Sequence, residues 1–233
     1  MDKVIIITGG TSGYGYAAAE KFAAAGEHVI AVARTADALE KTKKELGVDI
    51  FAADVTKQED WAALYDYVNE KYGRVDLLLN NAGGAIIMKP FLEQTSEQIF
   101  DSVNLNLLSV IWGCRTFAPM MIGQKGGTII NIASVCATHA WPTYSVYAAA
   151  KAGVLNFSKS LYVELGPLGV RVSCLIPAAG DTPFCVNAGG GPNPVMMKAQ
   201  DFAQAIVDVF NLPSHIVVEN MTVWGIDQEV VPL

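Results

Sequence analysis

Charge is scarce in this chain. Asp, Glu, Lys and Arg make up only 17% of its 233 residues, against 52% that are hydrophobic. So apolar a composition calls for a large shared core, with apolar surface left for contacts between subunits. Positive charge is the scarcer sign: 16 Lys and Arg face 23 Asp and Glu, a formal net charge of −7, and no basic cluster interrupts that balance. This argues against a nucleic-acid partner, because a phosphate backbone is held by clustered Lys and Arg. Cysteine is sparse as well. Cys114, Cys136, Cys174 and Cys185 show no CxxC spacing, and the three histidines do not pair with them in a metal-ligating pattern. Reduced thiols in a cytoplasmic protein are expected, with no metal. No apolar run reaches the roughly 18 residues of a membrane span. The opening MDKVIIITGG has too short an apolar run for a secretory signal.

What is present is an alternation. Short β-branched runs recur at 4–8, 28–33, 48–53, 75–80, 127–133 and 170–176, and helix-like stretches lie at 13–25, 36–46, 57–72, 96–122, 147–165 and 199–211. Continuous apolar strands alternating with helices predict a parallel sheet covered on both faces, a doubly wound α/β fold. The run HIVVENMTVW (215–224) can add an edge strand. No linker or repeat divides the chain, so 1–233 reads as one domain. The stretch AGGGPNP (188–194) cannot continue a helix or strand comfortably, and 184–200 reads as a mobile loop over a ligand.

TGGTSGYG (8–15) follows the first strand directly and opens an alanine-rich helix. Gly9, Gly13 and Gly15 permit positive φ, close approach of a phosphate and tight helix–sheet packing, while Thr11, Ser12 and Tyr14 complete the turn. The helix start offers unpaired N–H groups to a pyrophosphate. The spacing G-x-x-x-G-x-G departs from G-x-G-x-x-G, and a purely structural turn is the competing reading. The second strand ends without a carboxylate; Arg34 stands there, with Ser12 and Thr35 as helpers, suited to a 2′-phosphate. NADP(H) is therefore expected over NAD(H). In ADVT, Asp54 and Val55 close the third strand, and Asp54 either holds the adenine or caps the next helix.

In YAAAK (147–151), Tyr147 and Lys151 stand four residues apart on one helix face. The ammonium is expected to pull the phenol below its reference value of about 10, so that it can give or take a proton at a substrate oxygen. Ser134, at the end of TIINIA, can hydrogen-bond the same oxygen.

TGGTSGYG, NNAG (80–83), Ser134 and YAAAK, in this order, resemble the short-chain dehydrogenase/reductase family, and the resemblance covers essentially the whole chain. It implies a seven-stranded Rossmann-like parallel sheet, a nicotinamide cofactor and a Ser–Tyr–Lys–Asn site. Asn104 in SVNLNLL matches the family asparagine that supports a water next to the lysine, with Asn106 the neighbouring candidate. Tyr147 and Lys151 are implied to bind the cofactor, the lysine at the nicotinamide ribose. Asn81, Ala82 and Gly83 leave room for the cofactor. PAAGDTP (177–183) resembles the segment that holds the nicotinamide, with Pro177, Ala178 and Thr182 facing it; the family more often has Pro-Gly where this chain has Pro177–Ala178. Homodimers or homotetramers are implied.

The substrate wall is expected from Gly84, Ala85, Ile86, Ser134, Cys136, His139, Trp141, Tyr144, Tyr147, Ala179, Phe184 and Met196. These segments carry no guanidinium, though Lys89 and Lys198 are near in sequence. A ketone, aldehyde or alcohol with an apolar or modestly polar group is the leading expectation. Reduction of a 3-oxoacyl thioester and a non-catalytic cofactor-binding regulator are the alternatives. The tail WGIDQEVVPL is expected either to dock on a neighbouring subunit or to fray.

Overall fold

The structure, a computed structural model, describes residues 2–86, 88–184 and 196–228. The strands are β1 (Val4–Thr8), β2 (His28–Ala33), β3 (Asp49–Ala52), β4 (Leu77–Asn80), β5 (Gly127–Ile132), β6 (Val170–Pro177), β7 (Gly180–Asp181), β8 (Met197–Lys198) and β9 (Asn220–Val223). Seven of them form one all-parallel sheet in the order β3-β2-β1-β4-β5-β6-β9; β7 and β8 form a separate parallel pair. The edge strand expected within 215–224 is β9, paired with β6.

The helices are α1 (Gly13–Ala24), α2 (Ala36–Leu46), α3 (Gln58–Lys71), α4 (Ser96–Val103), α5 (Ser109–Gly123), α6 (Ser145–Leu165) and α7 (Ala199–Phe210). Each position of VIIIT in β1 is buried, because both faces of the sheet are covered. Alternate residues feed two cores. Val4, Ile6, Val32 and Leu78 meet Trp61, Phe117 and Val154 from α3, α5 and α6. Ile5, Ile7, Ala31 and Leu79 meet Ala18, Phe22, Phe202 and Ile206 from α1 and α7. The strand order reverses at β1, which has β2 on one side and β4 on the other, and the carboxyl ends of these strands open a crevice there.

The helix expected over 96–122 is interrupted by a π turn at Asn104–Leu108. By length and composition the stretch Ser96–Gly123 is long and apolar enough to cross a membrane, although Asp101, Asn104, Asn106 and Arg115 divide it into shorter apolar runs. Here its apolar side chains Val110, Phe117 and Met121 pack into the first core, so it serves as a layer of the fold. Most of the loop expected at 184–200 lies outside the described residues; of the rest, Met197–Lys198 is strand and Ala199 begins α7.

Candidate active site

The turn after β1 is shaped by its glycines. Gly9 and Gly13 have φ of +67° and +52°, a region that L side chains rarely adopt. Gly15 is required for packing: a Cβ there would stand 2.3 Å from the Gly9 carbonyl oxygen and 2.5 Å from Asn81 Nδ2. Ser12, extended at the start of α1, makes no side-chain cap, and the first turn holds no acidic residue. The first amides of α1 are thus left for an anion, and the cradle fits the pyrophosphate of a dinucleotide. Thr8, the first residue of TGGTSGYG, fastens this turn to the chain after β4: its hydroxyl accepts the amides of Asn81 and Ala82, each at 3.0 Å. Asn81 in turn donates to the Thr8 carbonyl at 2.9 Å.

A cleft of about 790 Å³ runs from this turn to Tyr147. Gly9, Thr11, Ser12, Gly13 and Tyr14 line one end, beside Arg34, Thr35 and Val55. Asn81, Ala82, Gly83 and Gly84 line its middle, facing Pro177, Ala178, Ala179 and Thr182. Ser134, Cys136, Trp141, Tyr144, Tyr147, Lys151, Phe184 and Met196 line the far end. Several expected residues lie outside the lining. Gly15 packs behind the turn. Asp54 accepts the Thr56 amide and hydroxyl at 3.0 and 2.7 Å, closing the turn that precedes α3; the N-cap of that helix is Lys57, so Asp54 does not cap it. His139 hydrogen-bonds Thr138 at 2.9 Å, and its ring lies between Trp141 and Trp224. Ala85 and Ile86 also lie outside it.

Tyr147 and Lys151 come from the start of α6 and are 7% and 3% exposed. The lysine Nζ lies 5.8 Å from the phenol ring centroid and donates to the Ile132 carbonyl at 2.9 Å. Ser134, at the end of β5, hydrogen-bonds Tyr147 and accepts the Cys136 amide at 3.2 Å. The expected lowering of the Tyr147 pKa is not what this geometry produces. Burial pushes the phenol up, and the Ser134 hydrogen bond only partly offsets it. Burial pushes Lys151 down to about 8. Desolvation is the largest cause for both groups, and it disfavours the charged form of each.

The asparagine beside Lys151 is Asn106, not Asn104. A Cβ added to Gly83 would lie 3.0 Å from Asn106 Oδ1 and 3.2 Å from Lys151 Nζ, so the three meet at one point. Asn106 is fully buried; it accepts the Gly84 amide and donates to the Gly84 and Ser102 carbonyls, each at 3.0 Å. Asn104, two residues earlier at the start of the π turn, is half-buried.

The segment after β9 also reaches the cleft, which the sequence reading missed. Trp224, Asp227 and Gln228 line it. Gln228 donates to the Ala179 carbonyl and accepts the Gly225 amide, the latter at 2.8 Å. The expected tail is thereby described through Gln228; its last residues lie outside the described ones.

An uncharacterized oxidoreductase of Staphylococcus saprophyticus is 30% identical over 229 residues, covering 96% of this chain and 97% of its own. A sulfoacetaldehyde reductase of Chromohalobacter salexigens is 32% identical over 230 residues, 93% of this chain and 91% of its own. Among solved structures, the closed form of serine dehydrogenase complexed with NADP+ superposes with a TM-score of 0.93 at 28% identity, covering 99% of this chain and 98% of that one. A family model described as short chain dehydrogenase matches residues 3–191. The glycine cradle, the buried Tyr147–Lys151 pair and these likenesses agree: the chain belongs to the short-chain dehydrogenase family of oxidoreductases, which act on CH–OH and C=O groups.

Proposed function

We propose that the protein interconverts a ketone or aldehyde and its alcohol with NADP(H), Tyr147 serving as the acid and base. The observation that carries this reading is the single cleft joining the glycine cradle to Tyr147. A nicotinamide dinucleotide bound there supplies a hydride to the carbonyl carbon or accepts one from the alcohol carbon. The Tyr147 hydroxyl gives its proton to the carbonyl oxygen in reduction and takes it back in oxidation, and the Ser134 hydroxyl hydrogen-bonds that oxygen. Its raised pKa keeps Tyr147 protonated and ready to donate at neutral pH. Lys151, held by Ile132 and facing Gly83, is placed to bind a ribose hydroxyl and to favour the phenolate during turnover. Asn106 sets the NNAG loop against the helix, and Asn104 is not retained in the site.

Arg34 and the absence of a carboxylate at the end of β2 support the phosphorylated cofactor, as does the NADP+ in the serine dehydrogenase neighbour. Among the described residues, the far end of the cleft carries no cation besides Lys151, which is bound to the Ile132 carbonyl, so it shows no basic patch that would favour a carrier-bound thioester. Exposed Phe91, Leu92 and Phe100 near α4 suit assembly with further copies of the chain, and the free buried thiols Cys114, Cys136 and Cys174 suit a reducing compartment. The test is NADPH consumption across a panel of ketones and aldehydes. Turnover of at least one is expected; NADPH binding without turnover of any would replace this reading with that of a non-catalytic regulator.

A further inference from the structure

Resting on the reading just proposed, the structure assigns the far end of the cleft to the cationic head of an amino or quaternary-ammonium alcohol, or of the matching carbonyl compound. The first observation is the density of rings around the reacting hydroxyl. Tyr147 stands 5.4 Å from Phe184 and 6.2 Å from Tyr144, centroid to centroid. Trp141 and Trp224 line the same end, and His139 braces both from behind, at 6.1 and 5.6 Å. Ring faces carry partial negative charge and attract an ammonium within about 6 Å.

The second observation is the sign of the fixed charge. Among the described residues lining the cleft, Asp227 is the only carboxylate, and the only cations are Arg34 at the opposite end and Lys151 beneath Tyr147. Lys89 and Lys198 lie outside the lining. An anionic substituent would find no guanidinium there, and a cation finds rings and a carboxylate. Asp227 is exposed to the cleft, on the segment that Gln228 ties to Ala179 and Gly225.

Three alcohols of similar size separate the possibilities: choline, its uncharged tert-butyl isostere, and the sulfonate isethionate. Their binding to the protein with NADP+ is measured by calorimetry and their oxidation by steady-state kinetics, in wild type, Asp227→Asn and Trp224→Leu. Choline is expected to bind at least about tenfold tighter than the isostere, and isethionate weakest. Asp227→Asn should erase most of the choline preference while leaving the isostere within about twofold, whereas Trp224→Leu should weaken choline more than the isostere. Equal binding of choline and isostere, tighter isethionate, or a preference untouched in Asp227→Asn would overturn the assignment. Absence of turnover for all three with the calorimetric order intact would count against the oxidoreductase reading alone, and the cation subsite would stand.

Discussion

Burial acts on Tyr147 and Lys151 in opposite directions, pushing the acid up and the base down, so that each leans toward its neutral form. For Lys151 the sign is fixed by linkage. The unfolded chain holds a proton up to its ordinary value of 10.5, whereas the folded chain releases it near 8. Lysine's contribution to stability is thus greatest above the unfolded value and is lost as pH falls through about 8. Lys151→Met should therefore gain stability relative to wild type by roughly 3 kcal/mol more at about pH 7 than at about pH 10.5, in paired denaturant melts. The orphaned Ile132 carbonyl costs the variant at both pH values and cancels in the comparison. The two asparagines separate just as clearly. Asn106→Ala breaks three hydrogen bonds in a dry interior and should cost about 2 kcal/mol or more, with loss of turnover, while Asn104→Ala should stay within about 0.5 kcal/mol of wild type in the same melts. The family resemblance of SVNLNLL pointed to Asn104, with Asn106 as the neighbouring candidate. The buried stripe Ser102, Asn106, Val110, Gly113, Phe117 follows helical spacing and was visible in the same segment. A periodicity argument would have chosen the residue that the packing chooses.

At the level of elements, the turn after β1 was legible because a glycine's reasons are local: two positive φ angles and one contact too close for a Cβ. Gly15→Ala should therefore weaken NADPH binding by at least about tenfold, through a shift of the Gly9 carbonyl or Asn81, as read by fluorescence titration; unchanged binding would show that the cradle yields. Strand positions were legible too, with informative slips at their ends. The run 75–80 became β4 at Leu77–Asn80, since Asp76 turns its carboxylate to the Val4 amide at 2.9 Å and to Arg74. The π turn was not legible. It adds a residue to one turn, a distortion that propensity does not encode, and it lies where the Asn106 side chain meets Gly84 beside Lys151.

For the whole molecule, the crevice at the strand-order reversal followed from the alternation of strands and helices alone. Its closure by the chain's last described segment did not. Trp224, Asp227 and Gln228 reach the cleft because β9 lies next to β6, a pairing across more than 40 residues that no local pattern announces. Cofactor choice is likewise a property of the assembled crevice, where Arg34, Ser12 and Thr35 share one end. Arg34→Ala should lower the NADPH-over-NADH preference by about ten- to hundredfold, in dissociation constants measured side by side; an unchanged ratio would remove the phosphate assignment. The most direct test of the central claim, that Tyr147 moves the proton, is one paired measurement on Tyr147→Phe: NADPH affinity and kcat with the best carbonyl substrate. The account predicts affinity within about threefold of wild type and kcat lower by about 10²–10⁴-fold. A variant that keeps its kcat would contradict it.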